Sequence, residues 1–193
     1  VFSYYPIEKM LNNLESKVYS DNILLGNSAS ESNNHIEVFK LLQDISLGNR
    51  EVLVPLSYGN SIYRNEIIAY GGTILKGNFK PLINFMPLQK YNELILRCGI
   101  VIMNHYRQQG VGNVLTMLYL GAKVYLNEQN TMYSYLKRKG IYIYSIDKDL
   151  IVDNIECLSL LTTEERAHNR AIIFEELSSQ NLSFKLNEQI LNL

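Results

Sequence analysis

Residues 100–118 read IVIMNHYRQQGVGNVLTML, and they carry the clearest signal of the fold class. Its first four residues are uninterrupted apolar positions, which is typical of a strand covered on both faces. Residues 114–118 have helical character, and a polar turn with two glycines, residues 107–113, lies between the two runs. A strand that passes through such a turn into a helix is the repeating unit of a parallel α/β sheet.

The same unit recurs on both sides of this stretch. Apolar runs predict strands at residues 22–25, 51–54, 73–75, 100–103, 123–126 and 141–144, with a short extended piece at 81–85. Helical spacing predicts helices at residues 31–47, 61–70, 87–98, 113–120 and 132–139, and a last one from Thr162. We therefore predict a Rossmann-like α/β domain, a mostly parallel sheet of about six strands with helices on both faces.

Local signals mark helix ends. Ser28 with Glu31 has the spacing of a capping box, and Thr162 begins a second one. The glycine pair at 71–72 and Gly99 are predicted to end helices, because glycine favours that position.

The composition limits the class of protein. With 193 residues, 47% hydrophobic and 19% charged, the chain is expected to be one globular domain. Its formal net charge of −1 argues against a nucleic-acid partner, because such proteins normally carry a basic excess. Cys98 and Cys157 have no CxxC or metal-ligand spacing, which favours reduced thiols in a cytoplasmic protein over a disulfide or a zinc site.

The chain start suggests a larger protein. No run approaches the roughly 20 apolar residues of a membrane span, and no signal peptide is evident. Because residue 1 is Val rather than Met, we expect a piece of a longer chain, with residues 1–20 as an interdomain linker and residues 21–193 as one domain with a helical tail.

Several common catalytic and cofactor motifs are missing. The first predicted strand is followed by GNSAS at residues 26–30 rather than GxGxxG, and neither the P-loop lysine pattern nor GxSxG occurs. An NAD enzyme, a P-loop NTPase and an α/β-hydrolase are therefore disfavoured. His35 and His168 fall on predicted helices without metal-ligand spacing, so we interpret both as structural.

Candidate binding residues lie in the loops that follow the strands, because ligands of open parallel sheets bind there. Arg107 could hold a phosphate together with the free N–H groups of the following helix start, or it could be a surface arginine paired with a carboxylate. Glu128 could accept hydrogen bonds from ribose hydroxyls, or it could only stabilise a helix start.

Three further residues have two interpretations each. Asn27 and Ser28 could bind a phosphate or a sugar hydroxyl, and simple helix capping is the alternative. His105 could donate to an anion or carry a proton, but a hydrogen-bonded histidine on the rim of the site is favoured, since no carboxylate partner is evident from spacing.

Four loop motifs together resemble a known family. LGNS at residues 25–28 with SNNHI at 32–36, VPLSY at 54–58, RQQGVG at 107–112 and LNEQN at 126–130 look like successive motifs of the bacterial dTDP-Fuc4NAc:lipid II Fuc4NAc transferases, also called 4-alpha-L-fucosyltransferases. The order and approximate spacing agree over roughly residues 1–146. Members transfer 4-acetamido-4,6-dideoxygalactose from dTDP to a lipid-linked saccharide during assembly of enterobacterial common antigen, a surface polysaccharide.

The resemblance implies an inverting transferase of the GT-B fold, in which two Rossmann-like domains enclose the active site. Only the C-terminal, donor-binding half is matched, so the chain alone is not expected to transfer sugar. The acceptor would bind the other half, and the full-length protein would be cytoplasmic or peripheral on the cytoplasmic face of the inner membrane. No cofactor or metal is implied, and the general base would come from the other domain, so no catalytic residue is assigned.

The resemblance also implies roles for the loop residues. Arg107 and the turn after it would hold the donor diphosphate, Glu128 would hold ribose or sugar hydroxyls, and residues 84–87 could border the thymine, with Phe85 as a stacking candidate or a core residue. The full set of implied donor-binding residues is Asn27, Ser28, Tyr58, Arg107, Gln108, Gln109, Gly110, Gly112, Asn113 and Glu128.

A second function class is a non-catalytic or regulatory Rossmann-like module, for example of response-receiver type. A receiver should carry clustered acidic residues after its first strand, whereas this chain has GNS at residues 26–28. The sequence therefore favours the sugar-nucleotide transferase.

Overall fold

Parallel strands form one sheet in the computed structural model, which describes residues 5–11, 17–152, 154 and 156–191. Within these residues the strands are β1 Asn22–Leu25, β2 Val52–Pro55, β3 Phe79–Leu82, β4 Cys98–Met103, β5 Lys123–Leu126 and β6 Tyr144–Ser145. All of their pairings are parallel, and the sheet order is β3-β2-β1-β4-β5-β6. The predicted Rossmann-like class is confirmed, and the order reverses between β1 and β4.

Helices cover both faces of the sheet. They are α1 Ile7–Leu11, α2 His35–Asp44, α3 Ser61–Leu75, α4 Leu88–Ile95, α5 Val111–Leu120, α6 Thr131–Arg138, α7 Ile146–Asp149, α8 Thr163–Leu177 and α9 Ser179–Leu191. Side chains alternate along the strands, so that Leu24 and Val101 join one buried apolar cluster while Ile23 and Ile100 join another on the opposite face. This double coverage explains why the central strands are apolar without interruption.

The third strand is not where the sequence predicts it. Residues 73–75 belong to α3, which continues through the glycine pair at 71–72 that was expected to end it. Gly71 instead permits close packing, because a Cβ there would lie 2.6 Å from the Phe79 ring. The third strand begins at Phe79 and forms the sheet edge, where Pro81 is tolerated.

Several predicted boundaries also shift. Cys98 and Gly99 open β4 rather than ending α4, which stops at Ile95. The last strand covers Tyr144–Ser145 instead of 141–144. The helix predicted at 31–47 is a 3-10 turn at Glu31–Asn33 followed by α2.

Helix capping is confirmed at one predicted position and wrong at the other. Thr162 and Glu165 form the reciprocal capping box at the start of α8. Ser28 caps no helix, because the residue before α2 is Asn34, which has a left-handed backbone with φ of 49°.

The predicted linker is only partly described. Residues 1–4 and 12–16 lie outside the described residues, whereas α1 packs against α5 and buries Ile7 and Leu11. None of the helices formed by the described residues has the length and hydropathy of a membrane-spanning segment.

Candidate functional site

The loops after β1 and β4 meet at the carboxyl edge of the sheet, where the strand order reverses. Chains leaving two neighbouring strands in opposite directions open a crevice at this point. The loop after β1, residues 26–34, and the loop after β4, residues 104–110, form its walls. Residues 127–130, after β5, lie beside the second wall.

Asn33, which is fully buried, joins the two walls. Its Oδ1 accepts hydrogen bonds from the backbone N–H of Asn27 at 2.9 Å and from His105 Nε2 at 2.8 Å. Its Nδ2 donates to Ser28 Oγ at 3.2 Å and to the Ser30 carbonyl at 3.1 Å. The side chain therefore uses all four of its hydrogen-bonding positions.

A second set of amides holds the loop after β4. Asn34 donates to the Asn104 carbonyl at 2.8 Å, and the Asn104 side chain donates to Glu37 at 2.8 Å. Asn127 donates to Asn104 Oδ1 at 3.0 Å. Asn130 donates to the Arg107 carbonyl at 3.0 Å. The loop after β4 is therefore held by side chains from the starts of α2 and α6 and from the loop after β5.

Arg107 and the start of α5 form a positively polarised corner. The Arg107 side chain is exposed, and none of the ion pairs between described residues involves it. Gly110 is the N-cap of α5 with φ of 63°, and a glycine has no side chain with which to cap the helix start. The N–H groups of the first turn, residues 111–113, therefore point out of the helix at its positive end, an arrangement that suits an anion.

A pocket of about 260 Å³ lies next to this corner. It is lined by Asn27, Pro55, Ser57, Tyr58, Leu82, Phe85, Met86, Leu88, Tyr91 and Asn113. Three of the predicted site residues, Asn27, Tyr58 and Asn113, thus share one pocket, together with the stacking candidate Phe85. Phe85 is 86% exposed, which excludes its interpretation as a core residue.

The position of Tyr58 is set through its backbone. Its carbonyl accepts from Ala29 N–H at 2.8 Å, and the Ala29 carbonyl accepts from Asn60 N–H at 2.8 Å. Gly59 makes this approach possible, because a Cβ there would lie 2.4 Å from the Ala29 oxygen. The loop after β2 is thereby joined to the loop after β1.

The remaining predicted residues lie outside the pocket lining. Ser28 is buried, with its hydroxyl hydrogen-bonded within the Asn33 network. Gln109 accepts from Ser32 at 2.7 Å and donates to Asn27 at 3.4 Å, whereas Gln108 and Gly112 are exposed.

Glu128 has a partner that the sequence did not reveal. Its carboxylate pairs with Lys148 of α7 at 2.8 Å, and this contact lowers the pKa of Glu128. A ligand hydroxyl would therefore have to share the carboxylate with Lys148.

The two histidines near the site are buried and neutral. Burial lowers the pKa of His105 to about 4 and that of His35 to about 3, and nearby positive charge on Arg107 adds to the first shift. Because Asn33 Oδ1 can only accept, His105 carries its proton on Nε2. His105 is fully buried, whereas the sequence predicted it on the rim of the site. The other histidine, His35, has its Nδ1 3.1 Å from Tyr63 Oη.

Sequence reasoning missed the amides that build the site. Asn33, Asn104 and Asn130 are buried, although asparagine is usually exposed. The run Ser32-Asn33-Asn34 can be read from the sequence, but the burial of Asn33 follows only from the turn at 31–34.

Among the described residues, no group of three His, Cys, Asp or Glu side chains could hold a metal ion.

Comparison with known proteins identifies one family. Residues 3–174 match the family described as 4-alpha-L-fucosyltransferase glycosyl transferase group 56.

Solved glycosyltransferase structures have a similar fold. HepE of Anabaena, in complex with UDP and glucose, is similar with a TM-score of 0.69 at 14% identity, covering 97% of this chain and 52% of its own. A glycosyltransferase from Rickettsia africae has a TM-score of 0.66 at 12% identity, covering 94% and 50%. AviGT4, involved in avilamycin A biosynthesis, has a TM-score of 0.65 at 13% identity, covering 90% and 51%. At these identities the likeness is one of fold, and the chain spans about half the length of these proteins.

Proposed function

This chain belongs to the 4-alpha-L-fucosyltransferase family, glycosyl transferase group 56, and from that premise we propose that it is the donor-binding half of a sugar-nucleotide glycosyltransferase. The proposed donor is dTDP-linked 4-acetamido-4,6-dideoxygalactose. The acceptor is a lipid-linked saccharide in surface polysaccharide assembly, bound by the other half of the whole protein, which would be cytoplasmic or peripheral on the inner membrane. The observation that carries the donor part is the pocket that Asn113, in the first turn of α5, lines together with Asn27 and Tyr58.

The pocket supports a nucleotide because its lining combines apolar and polar groups. Phe85 and Met86 provide apolar surface, which suits the flat face of a thymine. Asn113 belongs to the first turn of α5, whose free N–H groups suit a diphosphate. Asn27 and Tyr58 offer polar groups to the ribose or the transferred sugar.

The chemistry proposed for these residues is stabilisation of the leaving group. When the bond between the sugar C1 and the β-phosphate oxygen breaks, negative charge grows on the departing dTDP. Arg107 and the positive end of α5 would stabilise that charge, so the proposal needs no metal ion. The lining residues include no carboxylate, so the base that takes the acceptor proton is expected from the other half.

Nucleotide titration tests the proposal. Wild-type protein should be stabilised by dTDP, by about 2.7 kcal/mol at a hundredfold excess over the dissociation constant. Arg107→Ala should weaken binding by about 1.5–3 kcal/mol, the usual contribution of a hydrogen bond to a charged group. Arg138→Ala is the matched control, because Arg138 is also exposed and lies at the far end of α6.

Isothermal calorimetry measures the affinities of the wild type and the two variants for dTDP and for UDP directly. Equal dTDP affinity in wild type and Arg107→Ala would overturn the phosphate assignment. Absence of dTDP binding by the wild type would overturn the proposed donor site itself.

A further inference from the structure

We infer that Asn33 and His105 are positioning residues for the diphosphate part of the donor site, and that they act without touching the donor. They would hold Asn27 and residues 107–110 in the arrangement that accepts the second phosphate. The inference rests on the proposed function, because it concerns the same pocket and the same loops.

The hydrogen bond between Asn33 and His105 joins the walls of the crevice across 72 positions of sequence. Both side chains are fully buried, so the bond is shielded from competing water. The same Asn33 oxygen accepts from the backbone of Asn27, whose side chain lines the pocket. Because Asn33 Oδ1 bonds both His105 and Asn27, a change in Asn33 or in His105 alters the position of Asn27 in the pocket.

Two glycines bring this pair close to the loop backbones. A Cβ on Gly26, where φ is 69°, would lie 2.7 Å from Asn33 Oδ1. A Cβ on Gly110 would lie 3.2 Å from Asn27 Nδ2 and 3.6 Å from His105 Cε1. Since Gly110 is the N-cap of α5, a shift of the buried pair would displace the helix start that offers its N–H groups to the diphosphate.

The part of the pocket lining that follows β3 is built differently. Phe85, Met86 and Leu88 follow β3, and none of the hydrogen bonds of Asn33 or His105 reaches them among the described residues. Loss of the pair should therefore weaken recognition of the second phosphate more than recognition of the nucleoside. A purely structural role would weaken both ligands alike, through the fraction of unfolded protein.

The test compares two buried asparagines. Asn33→Ala removes the proposed positioning residue, whereas Asn169→Ala removes an equally buried amide that bonds the N–H and carbonyl of Tyr142 at 2.8 and 3.1 Å, close to β6. Dissociation constants for dTDP and dTMP are measured by calorimetry at a temperature where urea curves show every variant folded. Asn33→Ala should weaken dTDP about tenfold, equal to about 1.4 kcal/mol, and weaken dTMP much less. Asn169→Ala should bind both ligands as the wild type does.

Substitution of His105 provides the second measurement. His105→Gln keeps an N–H donor at about the reach of Nε2 and should retain dTDP affinity, whereas His105→Leu should lose it to the same degree as Asn33→Ala. This pair keeps the inference testable if Asn33→Ala does not fold.

Each outcome decides a separate question. Equal weakening of dTDP and dTMP, or normal dTDP affinity in both Asn33→Ala and His105→Leu, would overturn the positioning role while leaving the proposed donor site intact. A wild-type protein that binds neither nucleotide would overturn the proposed function, and the positioning role with it.

Discussion

The protein should lose stability as the pH falls from 7 to 5 because of His35 and His105. Burial lowers their pKa values to about 3 and about 4, below the unfolded value of about 6.5. The unfolded chain therefore binds two protons that the folded chain excludes. Their stabilising contribution is complete above the unfolded pKa and is lost as the pH falls below it.

The size of the loss follows from proton linkage. Well below pH 6.5, each histidine that stays neutral in the folded protein lowers the free energy of unfolding by about 1.4 kcal/mol per pH unit. Between pH 7 and pH 5 this loss amounts to about 2 kcal/mol for each histidine. Both histidines are fully buried, so solvent screening does not reduce these figures. We expect the free energy of unfolding to fall by about 4 kcal/mol over this interval, above the range in which carboxylates of the unfolded chain titrate.

Urea denaturation at half-unit pH steps measures the effect. His35→Gln and His105→Gln each remove one titrating ring, so the loss in either variant should shrink to about 2 kcal/mol, and in the double variant the dependence should nearly vanish. A wild-type curve that is flat from pH 7 to pH 5 would show that the buried histidines do not destabilise the folded protein at low pH. So would single variants with the full wild-type loss.

Two further predictions concern local structure and are checked by urea denaturation at pH 7. Gly59→Ala should lower the free energy of unfolding by more than about 1 kcal/mol, because φ is 113° and the new Cβ would meet the Ala29 carbonyl. Gly77→Ala is the control and should be nearly neutral, because no atom lies within 4 Å of its Cβ. Similar stability of the two variants would contradict this prediction. Thr162→Ala should cost about 1 kcal/mol by removing the capping box with Glu165, and no change would show that the α8 start is held by packing alone.

The strands of the sheet centre could be predicted because their apolar runs follow directly from burial on both faces. β4 and β5 agree with the predicted runs within two residues. The edge strands were harder. β3 contains Lys80 and Pro81, and β6 has two residues, since an edge strand has a partner on one side only and needs no long apolar run.

The helix error at residues 71–72 has a different cause. Glycine usually ends a helix, and the local sequence offered no reason to expect otherwise. Gly71 is needed inside α3 because the Phe79 ring occupies the space that a Cβ there would fill, whereas no contact within 4 Å explains Gly72. The contact of Gly71 with Phe79 joins residues in two elements and cannot be read from local propensity.

The candidate site was predicted in its location more than in its construction. The rule that ligands bind at the carboxyl ends of parallel strands selected Asn27, Tyr58 and Asn113, which line one pocket. It could not distinguish a side chain that faces the pocket from one that supports it, as with Ser28 and Gln109. The roles of these residues in donor binding stay predictions.

The alternation of strands and helices, the buried sheet centre and the polar, glycine-bearing loops can all be read from the sequence, because each depends on the preferences of neighbouring residues. Which loops meet and which side chains turn inward depends on the folded arrangement of the sheet. Asn33 and His105 meet because parallel strands place their carboxyl ends side by side, and the buried amide then needs every partner it can reach. The turn at residues 107–113 is therefore held by side chains from other parts of the sequence. Asn130 bonds the Arg107 carbonyl, and Asn33 bonds His105, two residues before the turn.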